Sequence, residues 1–396
     1  MEFDRAGADA LMDIVARPEV VFVRGEGSWL EDHAGKRYLD FIQGWAVNSL
    51  GHCPPQLRRA LETQAGTLIN PSPAFYNQPA IELAKRITGA SCFDRVFFAN
   101  SGAEANEGAI KLARKWGQLN RNGAYKIITL DHSFHGRTLA TMSASGKAGW
   151  DTLFAPQVPG FPKATLNDLD SVRALIDADT VAIMLEPVQG EGGVIPATTE
   201  FMQGLRALAD EHNLLLIVDE VQTGFGRTGT LFAYQHSGVE PDIMTLGKGI
   251  GGGVPLAALC AREAVSCFAH GDQGGTYNGN PLMTAVGVAV FDTLMADGFL
   301  QGVQERAKQL SEGLLALCEK WGFKGERGAG LLRALVLDRD DGPAIVKAAL
   351  ESSPEGLLLN APRPNLLRFM PALNVTQDEV ALMLTRLDEV IARVRS

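Results

Sequence analysis

The sequence predicts an α/β protein built on a mostly parallel sheet, because strands and helices alternate through its middle. Between residues 54 and 250, five apolar runs of strand length are separated by segments with helical spacing. Such alternation favours a parallel sheet with helices on both faces. The runs are RVFFAN (95–100), AYKIITLD (124–131), TVAIMLEP (180–187), LLLIVDE (214–220) and DIMTLG (242–247).

The two ends of the chain have a different pattern. The first fifty residues predict short strands, with a turn at 32–36. From about Asn280 a long helical pattern begins, and strands mixed with helices follow it to the end. We therefore predict three parts: an N-terminal β-rich segment that joins the small domain (1–50), a large α/β domain (51–285) and a small C-terminal α+β domain (286–396).

Composition limits the kinds of partner that the protein can bind and the compartment in which we expect it. The 396 residues include 36 basic and 46 acidic side chains, for a net charge of −10, which disfavours nucleic-acid and anionic-membrane partners. No apolar run approaches about 20 residues, so no membrane span is expected. The five cysteines are widely spaced without a CxxC pair, and the N-terminus does not resemble a signal peptide. We expect a cytoplasmic protein.

Ligands of open α/β sheets bind at the carboxyl ends of the strands. The residues that follow the five runs include most of the unusual ones in the chain. They are Ser101-Gly102-Ala103-Glu104, His132-Ser133-Phe134-His135, Glu186-Pro187, Asp219-Glu220 and Gly247-Lys248.

The stretch 101–104 opens a predicted helix. Backbone N–H groups at a helix N-terminus bind anions, and Ser101 adds a hydroxyl donor. The stretch taken alone favours a simpler interpretation, in which Ser101 is an N-cap and Glu104 completes a capping box. Asp219 directly follows five aliphatic residues, where a carboxylate needs a cation or hydrogen-bond donors. It either pairs with a protonated ring nitrogen of a ligand or caps a turn.

Lys248 lies among glycines, in TLGKGIGGG (245–253). Two stretches, 224–229 and 247–252, match the dinucleotide pattern GxGxxG, so a nucleotide-binding oxidoreductase is one hypothesis. A dinucleotide loop needs no lysine in its turn, and Gly249 after the lysine excludes a P-loop. The alternative is a lysine that forms an imine with a cofactor aldehyde.

A phosphorylated aldehyde cofactor would need a lysine, an anion site, a carboxylate for its ring nitrogen and an aromatic side chain beside its ring. The strand ends supply all four, as Lys248, 101–103, Asp219 and Phe134. We also expect the glycines near Lys248 to leave space for the ring.

Two arginines, Arg137 and Arg368, lie near or within apolar sequence, where they could bind a carboxylate bidentately. An ordinary ion pair is the commoner role of a single arginine. His132 and His135 have His-x-x-His spacing, but no further ligand follows at a zinc-site spacing, so we predict no metal.

Six motifs together resemble the class III (ω-) aminotransferases, which use pyridoxal 5'-phosphate, and within them the branch that acts on N2-acetylornithine. The motifs are NSGAEANE (100–107), FHGRT (134–138), EPVQGEGG (186–193), VDEVQTGFGRTG (218–229), TLGKG (245–249) and GGTYNGNPL (274–282). The resemblance implies the aspartate-aminotransferase type of fold (fold type I), with a large domain and a small one.

The resemblance also implies roles in cofactor binding. By position, Lys248 forms the imine and shuttles protons, Asp219 pairs with the ring nitrogen, and Gln222 contacts the ring oxygen. Phe134 stacks on the ring. The phosphate lies against Ser101, Gly102 and Ala103, and Thr276 of a neighbouring subunit reaches it, which implies a homodimer with shared active sites.

For substrates, the resemblance implies that Arg137 binds a carboxylate and that Glu191 and Arg368 open or close a second carboxylate site. The donor is then N2-acetylornithine and the acceptor 2-oxoglutarate, in arginine biosynthesis. Trp45, Gly275 and Pro54 depart from the usual pattern of the family and leave other donors open: ornithine, succinylornithine, 4-aminobutyrate, a diamine or an acetyl-lysine-type amine. A non-catalytic dimer is the remaining alternative, and Lys248 together with Asp219 disfavours it.

Overall fold

A computed structural model describes residues 4–396 of the chain. Its N-terminal part contains the predicted turn, where Asp32 Oδ1 accepts hydrogen bonds from the backbone N–H groups of Ala34 (2.8 Å) and Lys36 (3.0 Å). The elements of this part are α1 (Arg5–Ala8), β1 (Phe22–Glu26), β2 (Trp29–Asp32), β3 (Arg37–Asp40) and α2 (Gln43–Ala46), a single turn with left-handed backbone.

The central part of the chain alternates strands and helices as predicted. All five predicted strands are present, as β4, β5, β7, β10 and β11 below. The elements are α3 (Pro55–Ala65), α4 (Gln78–Gly89), β4 (Arg95–Ala99), α5 (Gly102–Asn120), β5 (Lys126–Leu130), α6 (Leu139–Ala144), β6 (Lys163–Ala164), α7 (Leu169–Arg173), β7 (Thr180–Leu185), β8 (Val188–Gln189), β9 (Ile195–Pro196), α8 (Thr199–Glu211), β10 (Leu215–Asp219), β11 (Ile243–Leu246) and β12 (Ala257–Ala261), with 3₁₀ turns at Ala233–Ser237, Lys248–Ile250 and Glu263–Val265.

The main sheet has seven strands in the order β4-β12-β11-β10-β7-β5-β6. Strand β12 runs antiparallel to both of its neighbours, and the other strands all run in one direction. The sheet is therefore mostly parallel, which confirms the predicted α/β class. The sequence analysis did not predict β12. Because six strands share a direction, the ends of β4, β5, β7, β10 and β11 lie along one edge, where the candidate site residues follow them.

The C-terminal part forms a second, antiparallel sheet in the order β13-β14-β17-β16. Strand β15, which also comes from the C-terminal part, lies outside this sheet. It pairs with β3 and so joins the two ends of the chain. The boundaries 1–50, 51–285 and 286–396 stay predictions, and α9 crosses the second of them. The elements are α9 (Pro281–Leu294), α10 (Phe299–Trp321), β13 (Gly325–Ala329), β14 (Leu332–Val336), α11 (Gly342–Glu351), β15 (Gly356–Leu358), β16 (Asn360–Arg363), β17 (Leu366–Phe369) and α12 (Gln377–Arg395).

Within residues 4–396, no single helix is long and apolar enough to cross a membrane. Helices α9 and α10 reach the necessary length and composition only as a pair, and they meet at a bend of 73°.

Helix α5 packs closely on the main sheet through a glycine. A Cβ on Gly117 would collide with the backbone oxygen of Ala124 and approach Val181 Cγ2 to 2.7 Å. By contrast, a Cβ on Gly302 in α10 would meet no atom within 4 Å. The two helical glycines therefore differ in their effect. Gly117 leaves space for the backbone of a neighbouring segment, whereas Gly302 only weakens its helix.

We expect alanine at these two positions to change stability with opposite signs. Gly117→Ala should lower the free energy of unfolding by about 1–3 kcal/mol, because a backbone collision forces the helix away from the sheet. Gly302→Ala should raise it by about 0.5–1 kcal/mol, through better helix propensity and a less flexible unfolded chain. Urea denaturation followed by circular dichroism measures both. Equal effects of the two substitutions would contradict this account of the packing.

Candidate active site

Lys248 lies directly after β11, at the edge where the parallel strands end. Its backbone has a φ of 47°, in the left-handed region that non-glycine residues rarely adopt. The side chain reaches a cavity of about 270 Å³. Burial lowers the pKa of the Lys248 amine below its ordinary value, against the opposing charge of Glu191. The amine is therefore easier to deprotonate than that of a surface lysine.

The glycines around Lys248 do not leave space for a ligand ring, so that part of our interpretation was wrong. A Cβ on Gly247 would lie 3.0 Å from Val221 Cγ1, and one on Gly252 would lie 2.8 Å from Leu57 Cδ2. At Gly251 a Cβ would collide with the backbone oxygen of Val254. These glycines allow the chain to turn tightly against its neighbours, and that turn directs Lys248 into the cavity.

Asp219 lines the same cavity from the end of β10 and is only 3% exposed. Its Oδ2 atom accepts hydrogen bonds from Asn106 Nδ2 (2.8 Å) and lies 2.8 Å from His135 Nδ1, while Oδ1 accepts from Val221 N (3.0 Å). Thr245 Oγ1 donates to Asn106 Oδ1 (2.6 Å), which fixes the amide orientation. These donors hold the carboxylate in place without filling the cavity.

The two glutamates that end neighbouring strands differ in their surroundings. Glu220 turns away from the cavity and accepts from Ala233 N (2.6 Å) and Tyr234 N (2.8 Å). Glu186 lines the cavity and accepts from Phe134 N (2.9 Å). Burial, followed by the charge of Asp219, raises the pKa of Glu186 to about 8, so this carboxyl is mostly protonated at neutral pH.

The N-terminus of α5 presents an anion site beside the cavity. Ser101 forms the capping box with Glu104, as the simpler interpretation predicted, so its hydroxyl is already engaged. Gly102 and Ala103, whose backbone N–H groups lie in the first turn of the helix, line the cavity. First-turn N–H groups have no partner within a helix and suit a phosphate. A direct contact of Ser101 with a phosphate stays a prediction.

Phe134 and Gln222 complete the wall of the cavity. The Phe134 ring packs against Trp150, with 5.6 Å between the ring centroids. Gln222 is 7% exposed, and among residues 4–396 neither its amide oxygen nor its amide nitrogen has a hydrogen-bond partner. A buried amide without partners points to a polar group from outside the chain. With Lys248, Asp219 and the helix N-terminus, these residues fit a flat phosphorylated pyridine aldehyde such as pyridoxal phosphate.

Glu191 and Arg368 form an ion pair, with 2.7 Å between Oε1 and Nη1. Arg368 lies on β17, is fully buried and donates from Nε to Asn360 Oδ1 (2.9 Å). Although burial raises the pKa of Glu191, the Arg368 guanidinium outweighs it and holds that pKa below its usual value. The Glu191 carboxyl is thus ionised at neutral pH, and it covers the guanidinium.

Arg137 is exposed at the cavity and forms no ion pair with any residue in 4–396. Its guanidinium carbon lies 5.5 Å from the centroid of Trp150 and 6.0 Å from that of Phe134. A cation held by aromatic faces remains able to bind an anion. Arg137 therefore presents a free carboxylate-binding group, while Arg368 presents a covered one.

Trp45 is not among the residues that line the cavity, but its ring lies close to Arg368. It belongs to α2, where four consecutive residues have positive φ values of 48°, 60°, 66° and 65°. Asp40 Oδ1 holds this turn through the N–H groups of Ile42 (2.8 Å) and Gln43 (2.9 Å). The Trp45 ring lies 5.6 Å from the Arg368 guanidinium carbon, so the indole packs near that arginine.

Gly275 and Thr276 are exposed and do not line the cavity of their own chain. The Thr276 backbone oxygen accepts from Asn70 Nδ2 (3.3 Å), which joins this loop to the segment before α4. Their assignment to a neighbouring subunit's site stays a prediction.

The two alternatives based on glycines and histidines do not fit this geometry. Neither GxGxxG stretch connects a strand directly to an α-helix, since 224–229 is a turn region and 247–252 leads into a 3₁₀ turn. His135 points to Asp219, and His132 is exposed. Among residues 4–396, no three His, Cys, Asp or Glu side chains are arranged to hold a metal ion.

Sequence reasoning missed three residues of this site: Asn106, Glu186 as a cavity group, and His135 as a partner of Asp219. Each lies at or soon after a strand end that was singled out. Asn106 occupies the second turn of α5, on the side that faces the sheet, where a polar residue among alanines is the available signal.

Comparison with known proteins agrees with this geometry. The model of the protein family described as aminotransferase class-III matches residues 14–391. A relative from Bordetella pertussis, named acetylornithine aminotransferase 2, is 77% identical over 395 residues and covers 100% of both chains. One from Ralstonia nicotianae, named acetylornithine aminotransferase, is 68% identical over 388 residues and covers 97% of each chain.

Solved structures are similar over nearly the whole chain. N-acetylornithine aminotransferase from Stenotrophomonas maltophilia K279a has a TM-score of 0.83 at 39% identity, covering 95% of this chain and 96% of that one. Ornithine aminotransferase from Toxoplasma gondii ME49 has a TM-score of 0.92 at 33% identity, covering 98% and 94%.

The raised pKa of Glu186 leads to a test by protein stability. Between the ordinary pKa of a glutamate and about 8, the folded chain holds a proton that the unfolded chain releases. Stability contributed by neutral Glu186 is therefore present at low pH and lost as pH rises through this window. Because glutamine does not ionise, the Glu186→Gln variant does not lose this stability as pH rises. Its free energy of unfolding should therefore increase relative to that of the wild type from pH 5 to pH 8, by up to about 1 kcal/mol per pH unit.

Urea denaturation of the cofactor-free protein at several pH values measures this difference. Glu62→Gln, which changes an exposed side chain on α3, is the matched control and should show no such trend. A stability difference for Glu186→Gln that is constant from pH 5 to pH 8 would show that this carboxyl titrates elsewhere.

Proposed function

Since the chain belongs to the class III aminotransferases, whose cofactor is pyridoxal phosphate, we propose that it transfers the ω-amino group of N2-acetylornithine to 2-oxoglutarate. The products are N-acetylglutamate 5-semialdehyde and glutamate, as in arginine biosynthesis. The chain has the α/β fold of the aspartate-aminotransferase type (fold type I) that was predicted from its sequence.

One observation carries this proposal. A single cavity is lined by a lysine amine of lowered pKa, a fixed aspartate, one free arginine and a glutamate that covers a second arginine, Arg368. The first two serve chemistry on an amine, and the two arginines distinguish substrates with one carboxylate from those with two. No other class of enzyme considered above needs this combination.

Lys248 is placed to move a proton. Because burial lowers the pKa of its amine, a larger share of the amine is neutral than at the protein surface, and a neutral amine can accept a proton. The left-handed turn at its backbone directs the side chain over the cavity. We assign to Lys248 the transfer of a proton from the carbon that bears the donor's amine.

Pyridoxal phosphate, when bound, supplies an aldehyde that condenses with amines and a ring that stabilises negative charge on the neighbouring carbon. The Asp219 carboxylate, fixed by Asn106 and His135, would hold a proton on the ring nitrogen. Phe134 would lie against the ring and Gln222 would contact its oxygen. Gly102 and Ala103 would donate backbone hydrogen bonds to the phosphate.

Arg137 and Arg368 select the substrates by charge. N2-acetylornithine has one carboxylate, and Arg137 is free to bind it. 2-Oxoglutarate has two carboxylates and needs both guanidinium groups. While Glu191 covers Arg368, a second carboxylate has no cation to bind. We therefore propose that Glu191 covers Arg368 during the reaction of the donor and leaves it during the reaction of the acceptor.

A homodimer and a cytoplasmic location belong to this proposal. An exposed apolar patch adjoins the loop of Thr276, and its members include Tyr76 (95% exposed), Phe75 (69%) and Tyr277 (64%). Contiguous exposed aromatic residues favour a protein interface, and a second copy here would bring its loop to a neighbouring site. The five cysteines are free thiols, as suits a reducing compartment.

Ornithine is the competing donor that a specific observation favours, because an ornithine aminotransferase has the TM-score of 0.92. The identity of 77% to an acetylornithine aminotransferase outweighs it, since donor choice depends on side chains more than on backbone shape. The two donors differ at the α-amine, which carries a charge in ornithine and an acetyl group in N2-acetylornithine.

The experiment that tests the function is an absorbance titration of the purified holoenzyme. N2-acetylornithine should convert the visible absorption of the bound cofactor to that of its amine form, and 2-oxoglutarate should restore it. Lys248→Ala should slow the conversion at least about a hundredfold, since proton transfer loses its base. Conversion by ornithine but not by N2-acetylornithine would overturn the choice of donor, and no visible absorption with added cofactor would overturn the role of Lys248.

Glu191→Ala should weaken the discrimination between amines. Without the carboxylate, Arg368 is uncovered from the start and can bind the carboxylate of an α-amino acid, which presents its α-amine to the cofactor. We expect the rate with L-alanine to rise about tenfold relative to the rate with N2-acetylornithine. Single-turnover absorbance measures both rates. An unchanged ratio would remove Glu191 from substrate selection.

A further inference from the structure

Two arginines outside the cavity converge on the loop that carries Glu191. A Cβ on Gly193 would lie 2.9 Å from Arg327 Nη2 and 3.7 Å from Arg363 Nε. Arg327 Nε also donates to the Gly193 backbone oxygen (2.9 Å). Only a glycine at position 193, with a φ of 121°, leaves space for both guanidinium groups. We call Arg327 and Arg363 the arginine pair.

The arginine pair lies on the same face of the C-terminal sheet as Arg368. In the strand registers, Arg327 pairs with Ala334, and Ala334 pairs with Arg368. Directly paired residues of an antiparallel sheet point to one face. Arg363 pairs with Leu366, which is two residues from Arg368 and so shares that face. The loop with Glu191 therefore lies over a sheet face that presents three guanidinium groups.

This concentration of positive charge is incompletely compensated. Glu191 pairs with Arg368, but within residues 4–396 neither Arg327 nor Arg363 forms an ion pair. Both are half-buried. Burial and the charge of Arg363 lower the pKa of Arg327. Two neighbouring, partly desolvated cations repel one another and attract an anion.

The loop beside the arginine pair carries its own anion, the Glu191 carboxylate. Glu191 is among the residues that line the cavity, whereas Arg327 and Arg363 are not. Its carboxylate is two residues from Gly193, beside which both members of the arginine pair lie, and it is about one-third exposed, so it is able to move.

We propose that the arginine pair receives the Glu191 carboxylate when a dicarboxylate occupies Arg368. The inference rests on the proposed function, in which the acceptor has two carboxylates. Glu191 must then leave Arg368, and a partly buried carboxylate needs a new cation. Lys248 and Lys147 also contribute to the field at Glu191. Lys248 is assigned to proton transfer in the cavity, and Lys147 is exposed, where a charge in water stabilises a partner weakly.

Arg363→Met is the decisive variant, because Arg363 makes no hydrogen bond or ion pair within the described chain that its loss would break. We expect the Kd of glutarate, a dicarboxylate without the reacting carbonyl, to rise about tenfold in calorimetric titration of the holoenzyme. The single-turnover rate with N2-acetylornithine should stay unchanged, since Glu191 then remains on Arg368. Arg363→Lys should restore most of the glutarate affinity. Arg173→Met, which removes an exposed arginine on α7, is the control.

A double-mutant cycle separates this role from two others. In the Glu191→Ala background, Arg363→Met should no longer change the Kd of glutarate, because no carboxylate has to be received. A loss of affinity that persists there would mean that Arg363 binds the ligand or shapes the site, and would overturn the proposal. So would an equal loss in the donor reaction, or no effect of Arg363→Met in the wild-type background.

The cycle does not depend on the identity of the donor. If N2-acetylornithine fails as a substrate while the cycle shows the expected coupling, the donor assignment falls and the role of the arginine pair stands.

Discussion

Charge buried at the carboxyl edge of the main sheet has to be compensated by other elements, and the site depends on this constraint. Asp219 at the end of β10 is held by Asn106 from α5 and by His135 from the loop after β5. Arg368 reaches the same region from the second sheet and depends on Glu191, from the turn between β8 and β9. Removing one partner would leave a buried charge, which costs several kcal/mol. The constraint therefore couples the two sheets to each other and to the cavity at the edge of the main sheet.

Glu186 shows how the number of charges is kept low. Three carboxyl groups line one small cavity together with Lys248. If all three were ionised, they would stabilise the ammonium form of the lysine and oppose its use as a base. Burial keeps Glu186 mostly neutral near pH 7, so it can accept the Phe134 N–H without adding a full charge. Glu186 thereby positions the loop of Phe134, while Asp219 and Glu191 remain the carboxylates that stabilise the ammonium form of Lys248.

The sequence predicted the parallel strands and the residues that end them, because apolar periodicity and strand ends are local features. It missed His135 as a partner of Asp219, since that contact joins residues 84 positions apart. Strand β12 was missed because GGGVPLAALCA (251–261) follows glycines and a proline that favour a loop. The capping box at Ser101 was correctly given as the simpler interpretation, because capping depends on four adjacent residues. The sequence could not predict the long-range contacts that give each charged group of the site its partners.

A cavity that serves two substrates in turn needs one arginine to be available only part of the time. The two members of the ion pair that controls this arginine differ in how freely they can move. Arg368 is fully buried and fixed by Asn360, whereas the side chain of Glu191 is about one-third exposed. We therefore expect the carboxylate to move and the guanidinium to stay. A ligand can shift such an equilibrium only by its difference in affinity for the two states. The ion pair must accordingly be close in strength to the bond that a substrate carboxylate makes with Arg368: a stronger pair would exclude the acceptor, and a weaker one would admit α-amino acids as donors. A glutamate that is one-third exposed meets this requirement because water competes for its carboxylate and limits the strength of the pair.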